Sequence, residues 1–499
     1  MTAHPHARRW TLAIALDPAS ELPLYLQIAH AISADIRAGR LTLGDALPGS
    51  RTLAHTLGVH RNTVLAAYTE LVTEGWVRTE VAGGTFVSAQ PPTGKRGSLP
   101  GAQQGVPSEP GFDVDAPTTF ENPPAYEPDT LILAKGAPDV RMLPLIPLAR
   151  AYRRVLTRSG RQLLTYGDPR GLRELRSALA TMLSESRGIH ANVDAIMITR
   201  GSQMAIDLAA RALVTPGDAV IVESLGHRPA WNAFRLAGAR LFAAPVDEHG
   251  LSIDAVESIA ATERVRAIYV TPHHQFPTTT VMPPARRAQL LELARRHRIA
   301  IIEDDYDYEF HYDGRPVLPL ASADTSGVVV YVGTLSKILT PGLRIGFVVA
   351  PPMVIDAMTS VRVTADLQGD LAVESAVSEL FATGELDRHV RRVRRAYNSR
   401  RDALVRALHH ELGAALSFEV PSGGMALWAR VADDIDIDEW AHHALAHRVA
   451  FRGGRLYDFK GESQPYTRLG FSFHDEAELA ESARRMAAAL ADLQTRSIH

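Results

Sequence analysis

Apolar residues recur at helical spacing near the start of the chain. Over residues 23–39 they fall on one face, which predicts a helix, and shorter helical patterns follow over 51–57 and 61–75. Ser50 stands where it can cap the second helix, and only the turn at 58–60 separates the two later helices. Two helices joined by a short glycine-containing turn indicate a helix-turn-helix.

Two short strand patterns follow these helices. Residues 76–78 and 85–87 flank a glycine tip at 83–84, which completes a predicted winged helix-turn-helix over residues 20–90. Residues 91–130 hold nine prolines and no sustained period. Such a segment cannot bury enough apolar surface to order itself, so we predict a semi-stiff linker there.

Strand and helix patterns alternate from residue 131 to 499. A helix is predicted over 202–213, and apolar strands are predicted over residues 196–199, 219–222, 240–243, 267–270, 299–302, 328–332 and 345–349. Alternation of this kind requires helical crossovers between parallel strands. The predicted fold class is therefore multidomain, with an α/β, doubly wound sheet after the N-terminal unit.

Composition narrows the class of protein. A chain of 499 residues is long enough for about three domains. Its composition, with 46% hydrophobic and 22% charged residues, is typical of an ordinary globular chain. The lack of cysteine excludes disulfides, thiolate metal sites and thiol catalysis. No apolar run approaches a membrane span and the N-terminus lacks a signal-peptide core, so we expect a cytoplasmic protein without a membrane partner.

Charge does not by itself indicate nucleic-acid binding. The net charge is -3, and residues 1–90 contain seven arginines and seven acidic residues. DNA binding would therefore need the arginines gathered on one face, and two copies of the domain. A winged helix that serves as a protein–protein module is the alternative. A later arginine-rich stretch, 388–401, is predicted to be a solvated helix face, with a positive track for bent DNA as the alternative.

A lysine follows the predicted strand 328–332. Lys337 has Thr334 and Ser336 beside it, and Arg344 comes seven residues later. A partly desolvated lysine can attack a carbonyl to form a Schiff base, while hydroxyls and a guanidinium can hold a phosphate. The cluster suits an aldehyde cofactor with a phosphate tail. The alternative is a surface lysine after a strand.

Acidic residues end another predicted strand. The run 303–307 would project into the crevice at the carboxyl ends of parallel strands, where Asp304 could pair with a protonated pyridine nitrogen and Tyr306 could reach a ring hydroxyl. A solvated acidic loop or a metal site is the alternative. Ser202 and Gln203 begin a helix directly after a strand, which predicts an anion site; a plain glycine turn is the alternative there.

Five sequence motifs resemble those of fold-type I aminotransferases and occur in the same order as in those enzymes. Their residues are most similar to those of the MocR group of GntR-type transcription regulators. The motifs are Tyr166–Gly171, Arg200–Gln203, Thr271–Pro277, Glu303–Tyr306 and Gly333–Lys337. The resemblance covers residues 20–88 and 130–490. It implies a GntR-type winged helix-turn-helix fused to an aminotransferase-like domain, whose small α+β part would span about 370–499.

The resemblance also implies pyridoxal 5′-phosphate as cofactor, held as an internal aldimine by Lys337. In this family an aromatic residue stacks on the cofactor ring, and His227 falls at that position here. His274 and Gln275 would line the crevice near the ring hydroxyl. Arg468 falls where a substrate or effector carboxylate is held.

For the N-terminal unit the resemblance implies a set of DNA contacts at the start of the recognition helix and on the wing. These are Arg51, His60, Arg61, Asn62, Thr63 and Gly84. His60 stands where the family usually has serine, which would make DNA affinity sensitive to pH. A head-to-tail, domain-swapped homodimer is also implied, with Tyr166 serving the active site across it.

Two functions are consistent with these residues. The first is a DNA-binding transcription regulator that senses an amino compound or the cofactor itself at Lys337. The second is a working aminotransferase with an accessory N-terminal domain, because Asp304, Lys337 and Arg468 are all present. The joint architecture favours the regulator.

Overall fold

The computed structural model describes residues 14–17, 20, 22–80, 84–88, 109–113, 125–134 and 136–497. The chain divides into two compact units, Met1–Pro123 and Pro124–His499. Most of the predicted linker, 91–130, lies outside the described residues, as do the wing-tip residues 81–83. None of the helices in the described ranges combines the length and the apolar character needed to cross a membrane.

The first unit has the order of elements expected for a winged helix-turn-helix. Its described elements are α1 (Leu24–Arg37), α2 (Ser50–Leu57), α3 (Arg61–Thr73), β1 (Val77–Glu80) and β2 (Gly84–Val87). β1 and β2 pair antiparallel as the wing. Ile28, Ile32, Val64 and Leu71 are completely buried between α1 and α3, because the apolar faces of both helices turn inward.

The start of α2 differs from the prediction. The chain is still extended at Gly49, with φ -58° and ψ 144°, so Gly49 precedes the helix and Ser50 is already helical. Ser50 therefore does not cap α2, and the prediction was wrong by one position. Its hydroxyl instead accepts a hydrogen bond from Arg61 Nε at 3.3 Å, which joins the starts of α2 and α3.

The second unit alternates strands and helices as predicted. Its elements are β3 (Leu131–Ile132), α4 (Leu145–Leu163), α5 (Arg173–Arg187), β4 (Ile196–Thr199), α6 (Ser202–Leu213), β5 (Ala219–Glu223), α7 (Arg228–Leu236), β6 (Arg240–Ala244), β7 (Val246–Asp247), β8 (Gly250–Leu251), α8 (Ile253–Thr262), β9 (Val265–Val270), α9 (Pro284–His297), β10 (Ala300–Asp305), α10 (Leu320–Ala323), β11 (Val329–Thr334), β12 (Gly346–Val349), α11 (Pro352–Ala365), α12 (Leu371–Ala382), α13 (Glu385–Leu412), β13 (Leu416–Ser417), β14 (Ala426–Val431), α14 (Ile437–Ala446), β15 (Val449–Ala450), β16 (Tyr466–Gly470) and α15 (Glu476–Ser497).

A seven-stranded sheet organises this unit, in the order β4-β12-β11-β10-β9-β5-β6. Only β12 runs antiparallel to its neighbours. The carboxyl ends of β4, β5, β9, β10 and β11 therefore lie at one edge of the sheet. Ligands bind at this edge in α/β folds.

The C-terminal part has its own core beside a three-stranded antiparallel sheet, β13-β14-β16. Val393, Trp440, Leu469 and Leu490 belong to this core. α12, by contrast, contributes to the core of the large sheet. The small part thus begins within α13 rather than at residue 370, because α12 packs against the helices α4 and α5.

Candidate functional site

Lys337 follows β11 and is partly buried. Its Nζ donates a hydrogen bond to the carbonyl oxygen of Gly136 at 2.7 Å. Burial and the positive charge of Arg468 lower the pKa of Lys337 to about 8, although Asp307 and Asp304 act in the opposite direction. An appreciable fraction of this amine is therefore neutral and nucleophilic near neutral pH. The alternative of an ordinary surface lysine is wrong.

Asp304 lies in β10, the strand next to the one that leads to Lys337. Tyr269 donates its hydroxyl hydrogen to Asp304 Oδ2 at 2.7 Å. Among the described residues, the buried Oδ1 atom has no hydrogen-bond partner. Burial raises the pKa of Asp304 to about 6, against the lowering effect of the Tyr269 hydroxyl. The carboxylate is thus mostly ionised at neutral pH and keeps one acceptor for a protonated ring nitrogen.

Arg468 comes from β16 in the C-terminal part and is buried. Its guanidinium carbon lies 4.8 Å from the centroid of the Phe276 ring. A Cβ at position 136 would fall 2.8 Å from Arg468 Nη1, so a side chain there would displace the guanidinium. Tyr306, which also interacts with Arg468, donates its hydroxyl hydrogen to the His274 carbonyl at 3.0 Å. The Gly136 backbone therefore touches both the lysine and the arginine.

His227 immediately precedes α7, and its ring meets the Phe276 ring edge-on at 5.4 Å between centroids. Burial, together with the charges of Lys337 and Arg468, lowers the pKa of His227 to about 4. The imidazole is therefore neutral at physiological pH. It lies close enough for the charges of Lys337 and Arg468 to act on it, and stacking on the cofactor ring stays a prediction.

The start of α6 lies beside Arg344. Gly201, which precedes the helix at φ 81°, would place a Cβ 3.0 Å from Arg344 Nη2. That nitrogen donates to the Arg200 carbonyl at 2.6 Å. The first N–H groups of a helix, here from Ser202 onward, have no intrahelical acceptor and attract anions. Ser336 Oγ is buried and is without a hydrogen-bond partner in the described part of the chain.

Thr334 and Gln203 differ from the prediction that both hold the cofactor. The Thr334 hydroxyl donates to the Ile345 carbonyl at 3.3 Å and accepts from the Ser336 N–H at 3.0 Å. It ties the loop after β11 and is not free for a phosphate. Gln203 Nε2 donates to the Pro229 carbonyl at 2.9 Å. Its Oε1 is buried without a partner among the residues described, and the Nε2 group has a second hydrogen, so the amide keeps capacity for a ligand.

Gln275 also has a structural role instead of the predicted cofactor contact. Its Nε2 donates to the Leu225 and Phe276 carbonyls, both at 2.8 Å. Its Oε1 accepts from the Thr278 hydroxyl at 2.7 Å. Because both ends of the amide are engaged, Gln275 holds the loop after β9 in shape.

His274 is buried against protein groups on both sides. Its Nδ1 lies 2.7 Å from Asp307 Oδ1. A Cβ at Gly423 would fall 2.5 Å from His274 Nε2, so the ring packs on the Gly423 backbone. Its Nε2 has no hydrogen-bond partner among the described residues, so the contact with the ring hydroxyl stays a prediction.

The acidic run after residue 302 is not a solvated loop. Glu303 accepts the backbone N–H groups of Leu320 and Ala321 at 2.8 and 2.9 Å. Asp305 accepts the Tyr331 hydroxyl hydrogen at 2.6 Å. These two buried carboxylates serve separate structural bonds, which leaves Asp304 and Asp307 as the members of the run that act on Lys337.

The sequence-based reasoning missed three contributors to the site, namely Gly136, Tyr269 and Asp307. Two of them had weak signals in the sequence. Tyr269 is a hydroxyl-bearing residue in an apolar strand, and Asp307 belongs to the acidic run already noted. Gly136 carried none, because its contacts come from residues 337 and 468. Tyr166, predicted to act across a dimer, is 85% exposed on this chain.

The arginine-rich stretch on α13 is only partly solvated. Arg388, Arg391, Arg392, Arg394 and Arg395 are exposed, as predicted. Arg400 and Arg401 are buried, because they pair with Asp139 and Asp313 at 2.8 and 2.7 Å, so the prediction is wrong for these two.

In the first unit most of the predicted DNA contacts lie at the starts of α2 and α3, while Gly84 begins the wing strand β2. Arg51 and Arg61 stand at the starts of α2 and α3, which the Ser50 hydrogen bond joins. His60 accepts the Asn62 N–H through Nδ1 at 3.2 Å and so caps α3. Thr63 is half-buried, whereas the other predicted contacts are exposed: Arg51, His60, Arg61, Asn62 and Gly84.

Family comparisons match both units. Residues 128–486 match the aminotransferase class I and II family, and residues 24–87 match the gntR family of bacterial regulatory proteins. The chain is 31% identical over 484 residues to the probable rhizopine catabolism regulatory protein MocR of Rhizobium meliloti, covering 97% of each. It is 28% identical over 491 residues to the HTH-type transcriptional regulator TauR of Rhodobacter capsulatus, covering 95% of this chain and 98% of TauR.

Solved structures agree with the second unit. The α-aminoadipate aminotransferase LysN of Thermus thermophilus, complexed with N-(5′-phosphopyridoxyl)-L-leucine, superposes with a TM-score of 0.69 at 30% identity and covers 74% of this chain and 94% of LysN. Kynurenine aminotransferase of Pyrococcus horikoshii, complexed with PMP, gives a TM-score of 0.68 at 30% identity, over 73% of this chain and 91% of that enzyme.

The family implies pyridoxal phosphate as the cofactor, and the residues present fit that group. Lys337 supplies an amine of lowered pKa, and the unused Asp304 Oδ1 suits a ring nitrogen. Arg344 and the start of α6 suit a phosphate. With an aminotransferase class I and II domain following a GntR-type helix-turn-helix, the chain belongs to the MocR-type regulators of the GntR family.

Proposed function

We propose that this protein is a DNA-binding transcription regulator that responds to an amino compound, or to pyridoxal phosphate itself, through Lys337. One observation carries the proposal: a lysine amine of lowered pKa beside an unused buried carboxylate oxygen, in a chain that also exposes helix-turn-helix arginines. Pyridoxal phosphate supplies an aldehyde that condenses with amines and a ring that withdraws electrons.

Each residue of the site has a defined task in this proposal. Lys337 provides the neutral amine that attaches the cofactor covalently. Asp304 keeps a proton on the ring nitrogen, and the Tyr269 hydrogen bond holds its carboxylate in place. Arg344 and the first N–H groups of α6 hold the phosphate, with Ser336 as a further donor.

Arg468 is proposed to recognise the effector's carboxylate. Its guanidinium is buried over the Phe276 ring, and its Nε has no hydrogen-bond partner among the residues that the structure describes. A buried guanidinium with an unused donor favours a planar anion, because a carboxylate can accept two of its N–H groups. The effector would therefore be an amino acid or a related amine with an acid group.

Two DNA-reading units are required for tight binding, because residues 1–90 have no excess of positive charge. We propose a head-to-tail homodimer that presents both. An effector can shift the arrangement of the two units only if it binds one arrangement more tightly than the other.

Footprinting tests the proposal. DNA upstream of the protein's own gene and of the adjacent genes should show a protected site, and the pattern should change when cofactor and a panel of amino acids are added. The Arg51→Ala/Arg61→Ala variant should lose protection, whereas Lys337→Ala should keep protection but not respond to ligands. A lack of any protected site would contradict the regulator.

The second candidate is an active aminotransferase, which the lowered pKa of Lys337 also favours because a neutral amine can accept a proton from a substrate carbon. Incubation of the cofactor-loaded protein with amino acids separates the two. Keto acid formed over repeated turnovers indicates the enzyme, and a spectral change without keto acid indicates the sensor.

A further inference from the structure

Asp307, the last residue of the acidic run, is buried and bonded to a histidine from another loop. Its Oδ1 lies 2.7 Å from His274 Nδ1. Because an ionised carboxylate only accepts hydrogen bonds, His274 is the donor and its Nδ1 carries the hydrogen. The preceding residue strengthens this connection, since the Tyr306 hydroxyl donates to the His274 carbonyl at 3.0 Å. Two consecutive residues after β10 thus hold the same histidine of the loop after β9.

The C-terminal part covers this pair with a glycine turn just before β14. A Cβ at Gly423 would fall 2.5 Å from His274 Nε2, and one at Gly424 would fall 3.3 Å from Asp307 Oδ2. Gly424 also donates its N–H to the Phe310 carbonyl at 2.7 Å, which holds the turn against the segment that follows Asp307. The pair is therefore enclosed between the large sheet and the C-terminal part.

The Asp307 carboxylate has few partners of its own. His274 is the donor to Oδ1, and Oδ2 is buried without a hydrogen-bond partner in the described part of the chain. A charge that is shielded from water acts on the groups around it more strongly than an exposed charge does. Asp307 can therefore influence a neighbouring cation without contacting it.

Lys337 is the neighbouring cation. Burial and the charge of Arg468 lower the pKa of Lys337, whereas Asp307 and, to a smaller extent, Asp304 raise it. Asp304 is already assigned to the ring nitrogen of the cofactor, so Asp307 is the carboxylate left to balance the charge of the lysine. The other titratable groups that act on one of the two, or on which one of them acts, are His227 for Lys337 and Tyr306, Tyr312, Asp304 and Asp305 for Asp307.

We propose that Asp307 is a positioning residue for Lys337, held in place by His274 and by the glycine turn of the C-terminal part. Its carboxylate keeps a negative charge near the lysine amine and so sets the fraction of that amine that is neutral and able to attack an aldehyde. The inference rests on the proposed function for the use that the protein makes of this amine. The effect of Asp307 on Lys337 can be measured without the cofactor.

Chemical labelling of Lys337 in the cofactor-free, full-length protein tests this effect. Only a neutral amine reacts with acetic anhydride, so the labelling rate against pH, followed by peptide mass spectrometry, gives the midpoint at which the lysine loses its proton. The midpoint of the wild type should lie near pH 8, and the exposed Lys460 is the internal reference. Asp307→Asn removes the charge but keeps the size of the side chain, and it should lower the midpoint by about one pH unit.

Asp305→Asn is the matched control. It also removes a buried carboxylate from the same run, but Asp305 accepts the Tyr331 hydroxyl hydrogen and is not among the described groups that act on Lys337. Its midpoint should equal that of the wild type. An unchanged midpoint in Asp307→Asn, or an equal shift in Asp305→Asn, would overturn the proposal.

A double-mutant cycle tests the part played by His274. His274→Leu leaves the Asp307 carboxylate without its donor, and a buried group of this kind is neutralised rather than kept charged. The midpoint of Lys337 should therefore fall in His274→Leu as well, but the same change should add nothing in the Asp307→Asn background. Additive shifts would show that His274 does not act through Asp307 and would overturn that assignment.

Cofactor attachment separates this inference from the proposed function. At pH 7 the Asp307→Asn protein should attach pyridoxal phosphate severalfold faster than the wild type, because more of its amine is neutral, and its rate should level off at a lower pH. If neither protein attached the cofactor, the proposed function would be contradicted, and the labelling midpoints would still decide the effect of Asp307. Attachment in both proteins at the same rate would overturn the inference and leave the proposed function standing.

Discussion

The two functional surfaces of this chain are built in opposite ways. The predicted DNA contacts of the first unit are exposed, and their side chains make few bonds within the protein. At the lysine site the side chains are largely buried, and the pKa values of Lys337, Asp304 and His227 are all displaced. The first surface can act through accessible charge, whereas the second depends on fixed partners.

This contrast decides which changes should matter most. A buried group has no water to bond with when its partner is lost. Removing the group or its partner therefore changes the chemistry of the whole site. An exposed arginine is one contributor to an additive attraction that salt weakens. We therefore expect large effects at the lysine site and graded effects on the DNA surface.

The largest effect is expected from Lys337→Ala. Without the amine there is no group to attach the cofactor's aldehyde, so incubation with pyridoxal phosphate should give no protein-bound visible absorbance. Lys460→Ala is the control, since that lysine is exposed, and it should keep the absorbance. A Lys337→Ala spectrum equal to that of the wild type would show that this lysine does not hold the cofactor.

The pH dependence of cofactor attachment tests the burial of Lys337. Only the neutral amine attacks, and the lowered pKa means that it becomes neutral as the pH rises through about 8. The attachment rate, measured by stopped-flow absorbance, should rise about tenfold per pH unit below the pKa and then level off. A rise that continues to about pH 10 would indicate a lysine with its ordinary pKa.

Asp304→Asn should weaken cofactor binding by about ten- to a hundredfold, because a charge-assisted hydrogen bond becomes a neutral one. Tyr269→Phe removes only the donor to that carboxylate and should have a smaller effect in the same direction. Spectral titration with cofactor measures both. If the wild type and both variants bound the cofactor with equal affinity, Asp304 would not contact the cofactor ring.

The smallest effect is expected on the DNA surface. Arg61→Ala should lower DNA affinity a few-fold and reduce the slope of log affinity against log salt by about one. Arg40→Ala is the matched control, because that arginine is exposed but pairs with Asp35 at 2.5 Å and lies outside the predicted contacts. Fluorescence anisotropy across salt concentrations measures the slope, and equal slopes for both variants would argue against a contact at Arg61.

The pattern of apolar and polar residues along the sequence predicted most of the fold. Short apolar runs placed all seven strands of the large sheet, since strands of a mostly parallel sheet covered on both faces are continuously apolar, and the helical period placed the helix Ser202–Leu213. Residues after the predicted strands then pointed to Lys337, Asp304 and Arg344, and the family resemblance pointed to Arg468. The errors were of two kinds: Ser50 was assigned one position off, and the side chains of Thr334 and Gln275 bond to backbone groups of other segments, which spacing does not reveal.

The sequence by itself determined the two kinds of unit, the order of their elements and the residues able to do chemistry. Only the tertiary structure decided how those residues behave. Gly136 meets Lys337 and Arg468, and Tyr269 meets Asp304, across long stretches of chain. Hydrogen bonding, burial and charge act through space, so shifted pKa values and buried unused atoms such as Asp304 Oδ1 arise only once distant segments have packed together.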